Sequence, residues 1–231
     1  MNIGIQLNLN NSTLNFGLRV RQGSQLRFYW GLTNLSKMIK SSEEFEKASR
    51  LVSKVICVDE RLPNPVFKVS FPNKVVFDFD YVMSYQFWDE LEKIMDTFGD
   101  SSVIMAVLDP DPVNYYYSEF SQYNWCVLQK GTTADEYWNI LNQGPEESPA
   151  DAILSNSEIV IWLSSSLNWA IWGERSYGIC ILGFNDEMSK YSSDSCFSID
   201  RAITDLVALN FTKGIPEDVT NKLMKHYSIK N

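Results

Sequence analysis

Hydrophobic positions along the chain change period several times, and each change marks an element. Leu14, Phe16, Leu18 and Val20 alternate with polar residues or glycine, as do Leu26, Phe28 and Trp30, around the turn "RQGS". Period two on both sides of a glycine predicts a β-hairpin. The next segment, "SSEEFEKASRLVSKV", shifts to helical spacing. Phe45, Ala48, Leu51, Val52 and Val55 share one face, and Ser41 with Glu44 reads as a capping box. "VFKVSFPNKVVFDFDYV" returns to alternation and predicts a second hairpin across Pro72-Asn73. "SYQFWDELEKIMDTFG" is helical, with Phe87, Leu91, Ile94, Met95 and Phe98 as its stripe and Gly99 at the C-terminal cap.

Downstream, "VIMAVL" is a continuous apolar run suited to a buried strand. Asp111-Pro112 opens a short helix through Phe120, "WCVLQ" is a strand, and Thr133 with Glu136 caps the helix "ADEYWNILN". "GPEESP" is a loop, and Ser148-Pro149 starts one helical turn. Three apolar runs follow: "EIVIWLS", "WAIWGE" and "GICILGF". Their connections are hairpin-length, which predicts an antiparallel meander over 158–184. In "WAIWGER" both strand faces are apolar, so the strand is covered on both sides, with Glu174-Arg175 as a surface ion pair at the turn. "SIDRAITDLVAL" and "PEDVTNKLMKHY" are terminal helices. The order predicts an α+β fold, a mainly antiparallel sheet with a C-terminal three-stranded meander, covered by helices. The chain reads as a single domain over 1–231, with a finer division into a hairpin–helix subdomain over 1–60 and a main body over 61–231, because charge changes sign near "DERLPNP".

Charge alters the picture most. The net charge is −9. Between residues 94 and 174, Lys130 is the only base against 12 acids. Such a stretch repels nucleic acid and anionic lipid, and serves either solubility or docking of a basic partner. No apolar run reaches the roughly 20 residues of a membrane helix, and "MNIGIQLNLNN" lacks the pattern of a signal peptide. Cys57, Cys126, Cys180 and Cys196 are far apart, which predicts free thiols and a cytoplasmic location.

Candidate chemistry is sparse. The chain has one histidine, His226, bordering the apolar face of the last helix, and carries no phosphate-binding glycine loop or nucleophile elbow. No cofactor is expected. Asp78 and Asp80 in "FDFDY" would share a strand face, and Asp109 and Asp111 follow the buried strand. If those strands were neighbours, the carboxylates would hold Mg²⁺ or Ca²⁺ and support a metal-dependent hydrolase. The competing reading makes them solvent-facing, turn and cap residues, with no metal. Tyr115, Tyr116 and Tyr117 in a row on a helix cannot all face the core.

The runs "VLDPDPVNYYYSEFSQYN" and "SPADAILSNSEIVIWLSSSLNWAIWGERSYGICIL" resemble the C-terminal halves of small acidic bacterial proteins of the polymorphic-toxin immunity type. The resemblance leaves out residues 1–60. It implies an intracellular, non-enzymatic binding protein. With the charge pattern, the leading expectation is a cytosolic interaction protein neutralising a basic toxin. The expected contact residues are Tyr115, Tyr116, Tyr117, Glu119, Asp135, Glu136, Glu146, Glu147, Glu174 and Arg175. A third reading is a structural subunit of an assembly, with the N-terminal hairpin as its contact edge.

Overall fold

The elements form where apolar spacing and capping agree. A computed structural model describes residues 37–185 and 193–228, so the hairpin expected over 14–30, and the assembly edge it would supply, lie outside the described residues. The described residues belong to one unit, 35–231. After strand β1 (Lys37–Met38) comes helix α1 (Ser42–Val55), whose N-cap Ser41 accepts from the Glu44 amide. Strand β2 (Asn73–Asp78) runs into the short helix α2 (Phe79–Val82). Helix α3 (Phe87–Phe98) ends at Gly99, which takes the left-handed φ of 69° that favours glycine. Strand β3 (Ser102–Asp109) leads to a π-helical turn (Pro112–Tyr117) continued by α4 (Ser118–Phe120). Next come β4 (Trp125–Gln129) and α5 (Ala134–Asn142), which carries the full Thr133–Glu136 capping box.

The expected meander is present as β5 (Ile159–Ser164), β6 (Trp169–Glu174) and β7 (Ile179–Phe184). Helices α6 (Ile199–Asp205) and α7 (Glu217–Tyr227) follow. The seven strands among the described residues form one antiparallel sheet in the order β1-β4-β3-β5-β6-β7-β2. The fold is therefore α+β, as the order of elements implied.

Every residue of β5, β6 and β7 is buried. Alternation sends Ile161, Leu163, Ala170, Trp172 and Ile181 toward α1, α6 and α7. Trp162, Trp169, Ile171 and Leu182 point toward α2, α3 and α5. Helices on both sides explain why these antiparallel strands read as unbroken apolar runs, a pattern more usual for parallel sheets. Each buried aromatic removes roughly 150–250 Å² from water, on the order of 4 kcal/mol at about 25 cal/mol per Å². Gly173 allows a close approach, since a Cβ there would meet Cys180 Sγ at 2.7 Å and the Phe79 ring at 3.2 Å.

The second hairpin does not form. Its first arm pairs instead with the end of α1: the Cys57 amide donates to the Val66 carbonyl and the Lys68 amide to the Val55 carbonyl, at 2.8 and 2.7 Å. Its second arm, β2, pairs with β7 along Asn73–Asp78. Local alternation identified an extended arm, but the partner lies about a hundred residues downstream, where a fully apolar strand offers more burial.

Candidate functional site

The four aspartates are not brought together. Asp78 closes β2 and turns to cap α2, its Oδ1 accepting from the Tyr81 amide at 3.0 Å. Asp80 is therefore exposed on a helix and does not share a strand face with Asp78. Strand β3, which carries Asp109, is separated from β2 by β5, β6 and β7. Asp109 lies 3.9 Å from the Arg61 guanidinium. Asp111 caps the π-helical turn, accepting from the Val113 and Asn114 amides at 2.8 and 2.6 Å. Against the desolvation of partial burial, those amide bonds hold its carboxyl below the ordinary range. Among the described residues, no three His, Cys, Asp or Glu side chains gather where a metal would bind. The hydrolase reading required convergence of these carboxylates, and topology removes it.

Glu174 and Arg175 also depart from expectation. Glu174 ends β6 and Arg175 opens a 3-10 turn, and the two make no ion pair among the described residues. Glu174 is only 4 % exposed, and its Oε2 accepts from the Leu62 amide at 3.0 Å and from Trp172 Nε1 at 3.1 Å. Burial pushes its carboxyl pKa up; the Leu62 amide, the Trp172 indole and the Arg61 charge oppose the rise. Arg175 donates to the Ser157 and Leu154 carbonyls at 2.8 and 2.7 Å and lies 4.8 Å over the Phe79 ring. The end of β6 is thus a fastening point for the loop after α1, not an exposed ion pair. Tyr227 reinforces it, its hydroxyl accepting from the Val66 amide at 3.1 Å and donating to the Asn64 carbonyl at 2.5 Å, while His226 Nδ1 lies 3.0 Å from the Pro63 carbonyl.

Sequence reasoning missed a matching fastening at the other end of β6. Asp100 is buried and accepts from Trp169 Nε1 at 2.9 Å, from the Ser166 amide and Ser165 hydroxyl at 2.8 Å, and from the Ser166 hydroxyl at 3.1 Å. An Asp just after a helix cap carries no local sign that it will meet a turn 65 residues later.

The three tyrosines are mostly braces. Tyr116 is buried and donates to the Asp151 carbonyl at 2.9 Å, and burial pushes its hydroxyl pKa up to about 12. Tyr115 donates to Asp151 Oδ1 at 2.9 Å. Tyr117 stacks on Tyr123 at 4.7 Å between centroids, and Tyr123 stacks on Phe45 at 4.1 Å. As expected, the row is not wholly buried: the rings of Tyr115 and Tyr117 are more than a third exposed.

Comparison with known protein families, with curated proteins and with solved structures finds no match.

The acidic residues are held outward. Glu119, Asp135, Glu146 and Glu147 are exposed, and none makes an ion pair among the described residues. Glu136 is half-buried because its Oε2 accepts from the Thr133 amide at 2.7 Å. Lys130, the one base in this stretch, is paired with Asp96. Cys126 and Cys180 are buried, and desolvation raises both thiol pKa values, which makes them poor nucleophiles. All four cysteines are unpaired. No helix among the described residues is long and apolar enough to cross a membrane.

Proposed function

We propose that this chain is an interaction protein that docks a basic protein partner through its acidic surface between residues 94 and 174. The observation that carries the reading is the Lys130–Asp96 ion pair. It neutralises the only base in the stretch, while Asp135, Glu146 and Glu147 remain exposed and unpaired among the described residues. A field of one sign on a rigid scaffold speeds encounter with an oppositely charged protein and repels nucleic acid. In its sharper form, supported by the resemblance of the Asp-Pro/Tyr helix and the "WAIWGER" strand, the chain is a bacterial cytoplasmic immunity protein that neutralises a basic toxin.

The test is kinetic. Proteins retained by the immobilised chain are identified, and the association rate of each purified candidate is measured against wild type and an Asp135→Lys, Glu146→Lys, Glu147→Lys variant. The expected partner is basic, and its association rate falls more than about tenfold in low salt with the variant. An acidic partner, or an unchanged rate, overturns the reading.

A further inference from the structure

Five of the six described tryptophans (Trp88, Trp125, Trp162, Trp169 and Trp172) are no more than 2 % exposed, whereas Trp138 is 38 % exposed. The cause is its place on α5. Tyr137, Ile140 and Leu141 point into the core, so the residue after Tyr137 turns about 100° outward. Among the described residues the Trp138 side chain makes no hydrogen bond, ring contact or cation–π contact, although other aromatics in this molecule are paired in stacks and edge contacts. Its backbone carbonyl is occupied by the Asn142 side chain at 2.8 Å.

The surroundings of this indole are electrostatically one-sided. Exposed Asp135 lies three positions earlier, on the same side of the helix. Helix α5 has two acidic residues in its first turn and no basic residue in its last. Its C-terminal carbonyls therefore present partial negative charge without a compensating cation. Exposed Glu146 and Glu147 follow closely in the chain. The helix is also rigid: the capping box fixes its start, and the Tyr137 hydroxyl fastens it to the Val82 carbonyl at 2.9 Å. A rigid aromatic needs little ordering when a partner arrives.

We infer that the outer face of α5 is where the basic partner docks, with an arginine of that partner stacked on the Trp138 ring and Asp135 as its counter-charge. The inference rests on the proposed function and adds the anchor and the chemistry it selects. Charge complementarity argues for a cation. An exposed indole without a ring or cation–π partner among the described residues argues for arginine over lysine, because a planar, weakly hydrated guanidinium stacks on an aromatic ring where an ammonium keeps its water.

Oligoarginine and oligolysine peptides of equal length serve as probes of the full chain, with calorimetry for affinity and the Trp138 indole N–H resonance as reporter. Oligoarginine should bind roughly fivefold tighter than oligolysine and should shift that resonance. Trp138→Ala should bring the two peptides to equal affinity, and Trp138→Phe should restore part of the preference. Both variants should keep the wild-type circular dichroism, since the side chain makes no hydrogen bond or ring contact among the described residues. If Trp138→Ala leaves the arginine preference intact, or if the resonance does not move, the inference is overturned. The functional reading still stands in that case if Glu146→Lys, Glu147→Lys weakens both peptides. If neither peptide binds in low salt, both fall.

Discussion

Strand β6, with two tryptophans, and helix α5, with one, both carry indoles near carboxylates and use them in opposite ways. On β6 the indoles point inward, and each donates to a buried acid: Trp169 to Asp100 and Trp172 to Glu174, at 2.9 and 3.1 Å. The two pairs lie on opposite faces of the sheet and at opposite ends of the strand. They fasten one end to the turn at Ser165–Ser166 and the other to the loop at Leu62. On α5 the indole of Trp138 is open, and Asp135 is exposed one turn away. An acid buried with its donors saturated has no capacity left for a partner. An acid in water beside an unpartnered ring keeps all of it. Composition alone gives both regions the same description, and only burial separates structure from recognition.

The largest effects should come from removing the buried acids. Glu174→Ala leaves the Leu62 amide and the Trp172 indole without an acceptor, and Asp100→Ala does the same to the Trp169 indole and the Ser166 amide. Two orphaned donors cost about 3 kcal/mol in either case. The urea midpoint of each variant should fall accordingly. A loss below about 1 kcal/mol in both would show that β6 is held by its apolar packing and that its indole–carboxylate bonds are incidental.

The contrast also shows what a single chain can reveal. The capped helices were legible because their signals are local: Ser41 before α1, Gly99 after α3, and Thr133 with Glu136 around the start of α5. The meander was legible because three apolar runs at hairpin spacing have few other ways to pair. What failed depends on distant partners. Val66–Phe71 alternates like a strand, yet its backbone goes to the end of α1 because β2 is taken by β7. "FDFDY" alternates too, yet Asp78 stops the strand by capping a helix. Glu174 looked like a turn residue because nothing nearby announces Leu62, 112 positions earlier. Trp138 escaped notice for the reverse reason, since tryptophans are expected inside and period alone did not weigh the one turned out.

A smaller effect follows from pH. Burial raises the Glu174 pKa in the folded state above its value in the unfolded chain. The folded protein therefore holds this proton more tightly, and between the two pKa values it binds more protons than the unfolded chain. This group's contribution to stability is fully present at acid pH and declines as pH rises from the ordinary carboxylate range through the raised value. Glu174→Gln cannot ionise and keeps one carbonyl oxygen, which suffices because both donors bond the same oxygen, Oε2, of Glu174. The stability difference between wild type and Glu174→Gln should then move in favour of the variant as pH rises through that window. Denaturant titrations at several pH values measure it, and the subtraction cancels the other acids. A difference that is flat with pH, or that moves the other way, would mean that the hydrogen bonds from Leu62 and Trp172 fully offset the burial.

The smallest effect is the one that most sharpens the comparison. Trp138→Ala removes the same side-chain type that elsewhere anchors the core, yet it should cost only about 1 kcal/mol, a fraction of the loss expected for Glu174→Ala. The residue is 38 % exposed, so truncation loses the contacts of its covered part, but the side chain has no hydrogen bond or ring partner among the described residues and no donor is orphaned inside. Alanine also has the higher helix propensity, by a few tenths of a kcal/mol, at a helical position where packing does not decide. The two terms oppose each other and leave a loss smaller than that of two orphaned buried donors. The urea midpoint of Trp138→Ala should fall by less than half the shift expected for Glu174→Ala. A loss as large as that of Glu174→Ala would place Trp138 with the fastening tryptophans of β6 and remove the distinction between a ring that holds the fold and one that is free to bind.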